Sequence, residues 1–270
     1  MKVAFIGGGN MATAIIGGLL AKGFKAADIV VVEVNAQARA HLAASLGVNA
    51  LEAPGAEMAR MDAIVMAVKP QQMREAAVAL RPQLKDAVAI SIAAGIRVAD
   101  LSRWLGGHAR CVRTMPNTPA LVHAGVTGLY AGKAVGEKDR RIAEQLLGAV
   151  GRTLWFDREA DLDAVVAVSG SGPAYVFYAI EAVEAAAIAL GLTPEKARAL
   201  TLATFDGATK LAIARAEDPA KLRANVTSKG GTTAAALAVL EGAGVKESFL
   251  AAIQAAAQRS REMGDELGKD

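Results

Sequence analysis

The sequence predicts an α/β domain with a mostly parallel sheet, followed by an all-helical domain. Strand-like and helix-like segments alternate through the first half, which means a parallel sheet covered by crossover helices. From about Asp161 onward no strand-like alternation remains, and helix-start signals follow one another instead. No low-complexity linker separates the halves. The boundary is therefore set at 160/161, with domains over residues 1–160 and 161–270.

In order, Lys2 to Ile6 reads as a short apolar strand and Met11 to Lys22 as a helix. Strand Asp28 to Val34 leads to helix Ala36 to Leu46, and strand Ala63 to Val68 to helix Gln72 to Leu80. Val88 to Ile92 is a strand, Val98 to Leu105 a helix, and Arg110 to Thr114 another strand. Val126 to Tyr130 and Thr153 to Phe156 are expected to complete the sheet, with right-handed crossovers. In the second half, Pro173 to Leu190 is helical in period. Thr193-Pro194-Glu195 combines a capping hydroxyl, proline at the first helical position and an acid in the first turn, and its helix runs toward Ala216. Asp218-Pro219 repeats the signal, and the run from Thr232 and the segment from Lys246 to Leu267 add two more helices.

Composition narrows the function classes. The 270 residues are 53% hydrophobic and carry a net charge of +3, without a basic stripe and with only 4% aromatic residues. Binding of nucleic acid through phosphate contacts and base stacking is thereby disfavoured. Cys111 is the single cysteine, so no intrachain disulfide can form, which fits a reducing cytoplasm. The histidines His41, His108 and His123 show no metal-ligand spacing, and no metal site is expected. Met1 to Phe24 resembles a short signal peptide only superficially, because a glycine loop breaks it. Ala164 to Leu192 is apolar but holds Glu181 and Glu184, which argues for a buried helix rather than a membrane span.

The glycine loop has the strongest local chemistry. VAFIGGGNMATA places Gly7, Gly9 and Ala12 in a G-x-G-x-x-A arrangement between a strand and a helix. Gly7 permits the tight turn, Gly9 lets the backbone approach a pyrophosphate, and Ala12 keeps helix and strand close. The helix start supplies free N–H groups to a phosphate. This context predicts a Rossmann-type, dinucleotide-binding first domain. Glu33 ends the second strand about 20 residues further on, where an acid bonds the adenosine ribose and favours NAD. Arg39 is the near cation for a 2′-phosphate, so NADH and NADPH both stay open. Asn35 belongs to the same adenosine loop. AVKP (Ala67, Val68, Lys69, Pro70) and SIAAGI, with Ala93 and Gly95, close the next two strands on the same edge. RTMPNTP offers Asn117 in a loop stiffened by two prolines.

NVTSKGGTT in the second half poses a different question. A helix cap needs one hydroxyl, yet Thr227, Ser228, Thr232 and Thr233 surround Gly230 and Gly231 just before an alanine run. Glycines at a helix start expose several backbone N–H groups to one anion, so the array suits a small carboxylate. The alanine-rich helices around it contribute little burial per residue and are expected to bury against a second copy of the chain.

Taken in order, IGGGNM, AVKP, SIAAGI, MPNTP, VSGSGPAYVF and NVTSKGGTT span nearly the whole chain, and with them the sequence resembles the pyrroline-5-carboxylate reductases. The resemblance implies a Rossmann-type N-terminal domain and an all-helical C-terminal dimerisation domain. In such enzymes the active site lies where these meet, and some members assemble dimers into rings. It implies that Ile6, Gly7, Gly8, Gly9, Asn10 and Met11, with Ala67, Val68, Lys69 and Pro70, hold NADPH or NADH. Ser228 and the backbone at Gly230, Gly231, Thr232 and Thr233 would hold the carboxylate of a cyclic imino acid, and Thr233 would bond the ring nitrogen as the catalytic residue. Glu33-Val34-Asn35 departs from members that carry Asn-Arg or Ser-Arg after the second strand. Ser171 in VSGSGPAY is expected to shape the helix start at the domain junction.

The implied reaction is hydride transfer to C5 of 1-pyrroline-5-carboxylate, giving L-proline. A β-hydroxyacid dehydrogenase, which needs a catalytic lysine such as Lys196 or Lys210, is the competing enzyme class; neither lysine carries the motif that class would show. A non-catalytic dinucleotide sensor would have no need of the NVTSKGGTT cluster, and a purely structural scaffold leaves the glycine loop unexplained.

Overall fold

The computed structural model describes residues 1–269. The first half is built on β1 (Val3–Ile6), α1 (Asn10–Ala21), β2 (Ile29–Val32), α2 (Ala36–Leu46), β3 (Asn49–Leu51), β4 (Ala63–Met66), α3 (Met73–Leu80), β5 (Val88–Ser91), α4 (Val98–Trp104), β6 (Cys111–Met115), β7 (Gly125–Ala131), α5 (Glu137–Leu147) and β8 (Gly151–Trp155). Its strands form one sheet in the order β3-β2-β1-β4-β5-β6-β7-β8. Every neighbouring pair is parallel except β6 with β7.

The strands explain themselves by burial. β1, β2, β4 and β5 are buried at every position, as expected of a parallel sheet covered on both faces. Alternate residues feed two cores. Val3, Phe5, Val31 and Val65 pack with Ile15, Ile16 and Leu19 of α1 and with Leu146 of α5. Ala4, Ile6, Val32 and Met66 pack with Met73 and Leu80 of α3 and with Leu101 and Trp104 of α4. Each fully buried Ile, Leu or Phe contributes about 1.5–3 kcal/mol of transfer free energy. Two elements lie beyond the sequence expectation. β3 is too short to show a period, and α5 has a charged surface that hides its buried positions Ile142, Ala143, Leu146 and Leu147.

The remaining elements are α6 (Asp161–Val165), a π-helical turn (Val166–Gly170), α7 (Gly172–Ala189), α8 (Pro194–Arg215), α9 (Pro219–Asn225), α10 (Thr232–Gly242) and α11 (Val245–Leu267). Two compact units result: Met1–Ser171 with Ala256–Asp270, and Gly172–Ala255. The division lies beyond the single boundary expected at 160/161 for a physical reason. Arg113 on β6 is almost fully buried, and its guanidinium donates to Asp163 of α6 at 3.2 Å. Asp163 also accepts from the Ser260 hydroxyl of α11 at 2.8 Å. Arg97 adds an ion pair to Asp265 at 2.6 Å, so α6 and the end of α11 belong with the sheet.

In the second unit, Thr193 and Asp218 cap α8 and α9 as their sequence signals predict. Glu184 of α7 pairs with Arg198 of α8 at 3.2 Å. None of the described residues of α7, α9 or α10 is buried. Among the described residues, no helix is long and apolar enough to cross a membrane.

Cys111 sits fully buried on β6, its thiol directed at the His108 carbonyl oxygen at 3.2 Å. Burial pushes this thiol up to about 12, which leaves almost no thiolate at pH 8. The folded protein is expected to resist a disulfide reagent at pH 8, whereas urea-unfolded chain titrates one thiol at once. Prompt labelling of the native protein, followed by absorbance, would contradict the burial.

Candidate active site

The glycine loop is built by a close approach. Gly7 has φ of +100°, and a side chain there would put its Cβ 2.7 Å from the Ala67 carbonyl oxygen at the end of β4. Only glycine accepts both the left-handed backbone and the contact. A Cβ on Gly9 would meet nothing within 4 Å, so the loop is open where a phosphate group would approach. Gly9 is also the N-cap of α1 and makes no side-chain cap bond. The first-turn N–H groups of α1, from Asn10 and Met11 onward, therefore keep no intrahelical partner and face the positive end of the helix dipole. That is a cradle of the size and sign that a pyrophosphate needs.

The loop opens into a cleft of about 430 Å³. Ile6, Gly7, Gly8, Gly9, Glu33, Ala67, Val68 and Lys69 line it, as expected for a dinucleotide site. Val34, Glu52, Ala53, Pro54, Gln72 and Glu75 line it as well, and the sequence reading did not single these out. Glu52 to Pro54 follow the short β3, and the signal that marks them is the turn dipeptide Pro54-Gly55.

Glu33 is firmly held. Gly8 N–H donates to Oε2 at 3.0 Å and Asn35 N–H to Oε1 at 2.9 Å. The Arg39 guanidinium donates to the carbonyls of Glu33 and Val34, both at 2.8 Å, and pairs with Glu52 at 3.2 Å.

Several expected cofactor residues have other work in the fold. Asn35 caps α2, its Oδ1 accepting from Ala38 N–H at 2.9 Å. The Asn117 amide donates to the Ser169 carbonyl at 3.1 Å and accepts from Val126 N–H at 2.9 Å. It ties the start of β7 to the π-helical turn. Ala93 is buried, and a Cβ on Gly95 would touch Leu267 and Met263 of α11 at 3.3 and 3.4 Å. Asn10, Met11 and Pro70 border the loop and the β4 turn without lining the cleft.

In the second unit, the hydroxyl-rich stretch makes a tight turn. Gly231 N–H donates to the Ser228 carbonyl at 3.0 Å, and Gly230 has φ of +73°. Gly231 is the N-cap of α10 and makes no side-chain cap bond. A side chain on it would press its Cβ to 2.5 Å from the Ser228 hydroxyl. Thr227 spends its hydroxyl on the Arg223 carbonyl at 2.6 Å. Among the described residues, no hydrogen bond engages the hydroxyls of Ser228, Thr232 or Thr233, which flank the first turn of α10, where backbone N–H groups lack intrahelical partners. Lys210 is an exposed partner of Asp206 at 2.7 Å on the same helix.

Comparison with known proteins places the chain in a family. Residues 159–263 match the family described as pyrroline-5-carboxylate reductase dimerisation. Residues 2–95 match the family described as NADP oxidoreductase, coenzyme F420-dependent. A pyrroline-5-carboxylate reductase of Pseudomonas aeruginosa is 45% identical over 269 residues, covering 99% of this chain and 98% of the relative. The one from Haemophilus influenzae is 44% identical and covers 97% of each chain. Among solved structures, a pyrroline-5-carboxylate reductase from Coxiella burnetii superposes with a TM-score of 0.91 at 38% identity, over 97% of this chain and 98% of that one. A pyrroline carboxylate reductase from Plasmodium falciparum with NADP bound gives a TM-score of 0.88 at 29% identity, over 98% of both chains. The Rossmann-type sheet, the helical second half and these relatives lead to one conclusion: the chain belongs to the pyrroline-5-carboxylate reductase family.

Proposed function

We propose that the chain reduces 1-pyrroline-5-carboxylate to L-proline, with hydride from NADH or NADPH, as the last step of proline biosynthesis. The observation that carries this reading is the pairing, in one chain, of a dinucleotide cradle at Gly7–Gly9 with a carboxylate-shaped turn at Ser228–Thr233. The reduced nicotinamide supplies the hydride. The first-turn N–H groups of α1 hold the pyrophosphate, and Glu33 holds the adenosine ribose. Ser228 and the backbone N–H groups of Gly231 to Thr233 grip the substrate carboxylate, which fixes the ring and aims its C5. Hydride addition there breaks the C=N π bond, and its electron pair becomes the lone pair of the ring nitrogen. A protonated imine is already a good acceptor, so the site needs no strong acid. Catalysis then rests on holding donor and acceptor about 3–3.5 Å apart, an effect worth up to ~7–11 kcal/mol. Thr233 orients the N–H of the ring.

The working unit is a homodimer joined through the helical half. Phe177, Ile213, Val239 and Leu250 stand 63, 69, 71 and 55% exposed on four helices of that half, and Leu190, just past α7, 86%; burying each against a second copy would gain about 1.5–3 kcal/mol. We assign the chain to the cytoplasm, in keeping with the free thiol of Cys111.

Steady-state oxidation of NADH and NADPH with the pyrroline as acceptor tests the reaction; turnover with 3-hydroxy acids but not with the imine overturns it. Thr233→Ala is expected to lower kcat roughly tenfold to a hundredfold while the cofactor KM stays within about twofold. Unchanged kcat removes Thr233 from the mechanism. Sedimentation at micromolar concentration is expected to show a dimer or a ring of dimers; a stable, active monomer refutes the shared helical interface.

A further inference from the structure

The last turns of α11 lie against the loop that follows β5, and they meet it at backbone level. Gly95 has φ of +77°, and a Cβ there would stand 3.3 Å from Leu267, 3.4 Å from Met263 and 3.5 Å from the Gly264 backbone nitrogen. Gly264 is itself buried, and a Cβ on it would meet the Arg97 guanidinium at 3.1 Å. Arg97 pairs with Asp265 at 2.6 Å. The Arg103 guanidinium donates to the Gly268 carbonyl at 2.8 Å, and Leu267 packs on the core that holds Ala93 and Ile96. Glycine loses the most backbone freedom on ordering, so the Gly95 turn depends on what packs against it.

The other end of this loop joins the cleft wall. Ile92 N–H donates to the Met66 carbonyl at 3.2 Å, and Ala67, next after Met66, lines the cleft. A dinucleotide runs across the carboxyl ends of the strands in such a sheet. With its pyrophosphate at Gly7–Gly9 and its adenosine beyond β2, its nicotinamide half falls on the other side of β1, where β4 and β5 end. Ala93, Gly95 and Ile96 are buried, whereas Ile92 and Ala94 are half-buried, so the loop offers these two side chains and its backbone to a ligand.

Resting on the reductase reading, we propose that the end of α11 positions the nicotinamide subsite. Met263, Gly264 and Leu267 set where the Gly95 turn stands, and through it where the hydride-donating ring is held. The three are positioning residues, acting through the loop rather than on the ligand. Gly264 has a defined part: without a side chain it lets Arg97 lie across the helix and pair with Asp265, which fixes the loop directly after Ile96. The adenosine end of the cleft is built by β1, β2 and the turn after β3, none of which this contact touches. Loosening α11 therefore acts on one half of the cofactor.

Titration calorimetry of the intact protein separates positioning from folding. NAD⁺ and NADP⁺ are each compared with the fragment that lacks nicotinamide, ADP-ribose and 2′-phospho-ADP-ribose. Leu267→Ala is expected to weaken the tighter-binding dinucleotide about threefold or more, and its fragment by less than about twofold. Leu267→Met, close in volume, is expected to restore the wild-type ratio. With the pyrroline, kcat of Leu267→Ala is expected to fall by up to about a hundredfold. Should Leu267→Ala fail to fold by circular dichroism, Gly264→Ala takes its place: alanine favours the helix, while its methyl group pushes on Arg97. The same shift in ratio is expected, without a lower Tm. Dinucleotide and fragment weakened alike, or neither weakened, overturns the proposal. A wild type that binds dinucleotide but leaves the pyrroline unreduced removes the reductase reading, and the affinity ratio still decides the role of α11. Absence of binding by either dinucleotide overturns both.

Discussion

One close approach governs the first unit. At Gly7 the chain leaves β1 and turns into α1 so near the Ala67 carbonyl that no side chain fits. The turn aims the start of α1 at the edge where the parallel strands end, and brings β1 and β4 into register there, Ile6 opposite Met66. The phosphate cradle, the position of Glu33 beyond β2 and the line of the cleft all follow from that geometry. The two cores on either face of the sheet hold the turn in place.

Much of this was legible from residues that act locally. α2 was readable to the residue because Asn35 caps its start and Gly47, at φ of +67°, ends it. The cradle was readable because its glycines work within a few positions of one another. The turn before α10 was readable because its hydroxyls outnumber what a cap requires. β3 was not, since three residues show no period. Glu52 and Glu75 reach the cleft through strand order, which no short motif encodes. Asn117 shows a role that the sequence did not announce: both ends of its amide tie β7 to the π-helical turn. The burial of Ala93 and the closeness of Gly95 to α11 were likewise beyond any local motif.

That far end is a second organising feature. Arg113 is buried with Asp163, and Ser260 completes the satisfaction of the carboxylate. Arg113 also pairs with Glu159 at 3.6 Å, so loss of Arg113 leaves a buried carboxylate uncompensated, at a cost of about 3–5 kcal/mol, whereas loss of Asp163 leaves the guanidinium one partner. Arg97 with Asp265 adds a more exposed contact, worth less than about 1 kcal/mol. The buried cluster thus gives α6 and the last turns of α11 a fixed place on the sheet, and ends the first unit later in sequence than period alone suggests.

The return of residues 256–269 to the first unit has a consequence for biogenesis. A ribosome delivers all eight strands by Trp155, yet the carboxylate of Asp163 waits almost a hundred residues more for the serine that completes its bonding. The nucleotide-binding unit can therefore begin to fold early during translation, but its α6 carboxylate is fully bonded only once Ser260 of α11 has been made. Nascent chains arrested before Ser260 carry a sheet whose α11 clasp has still to be made.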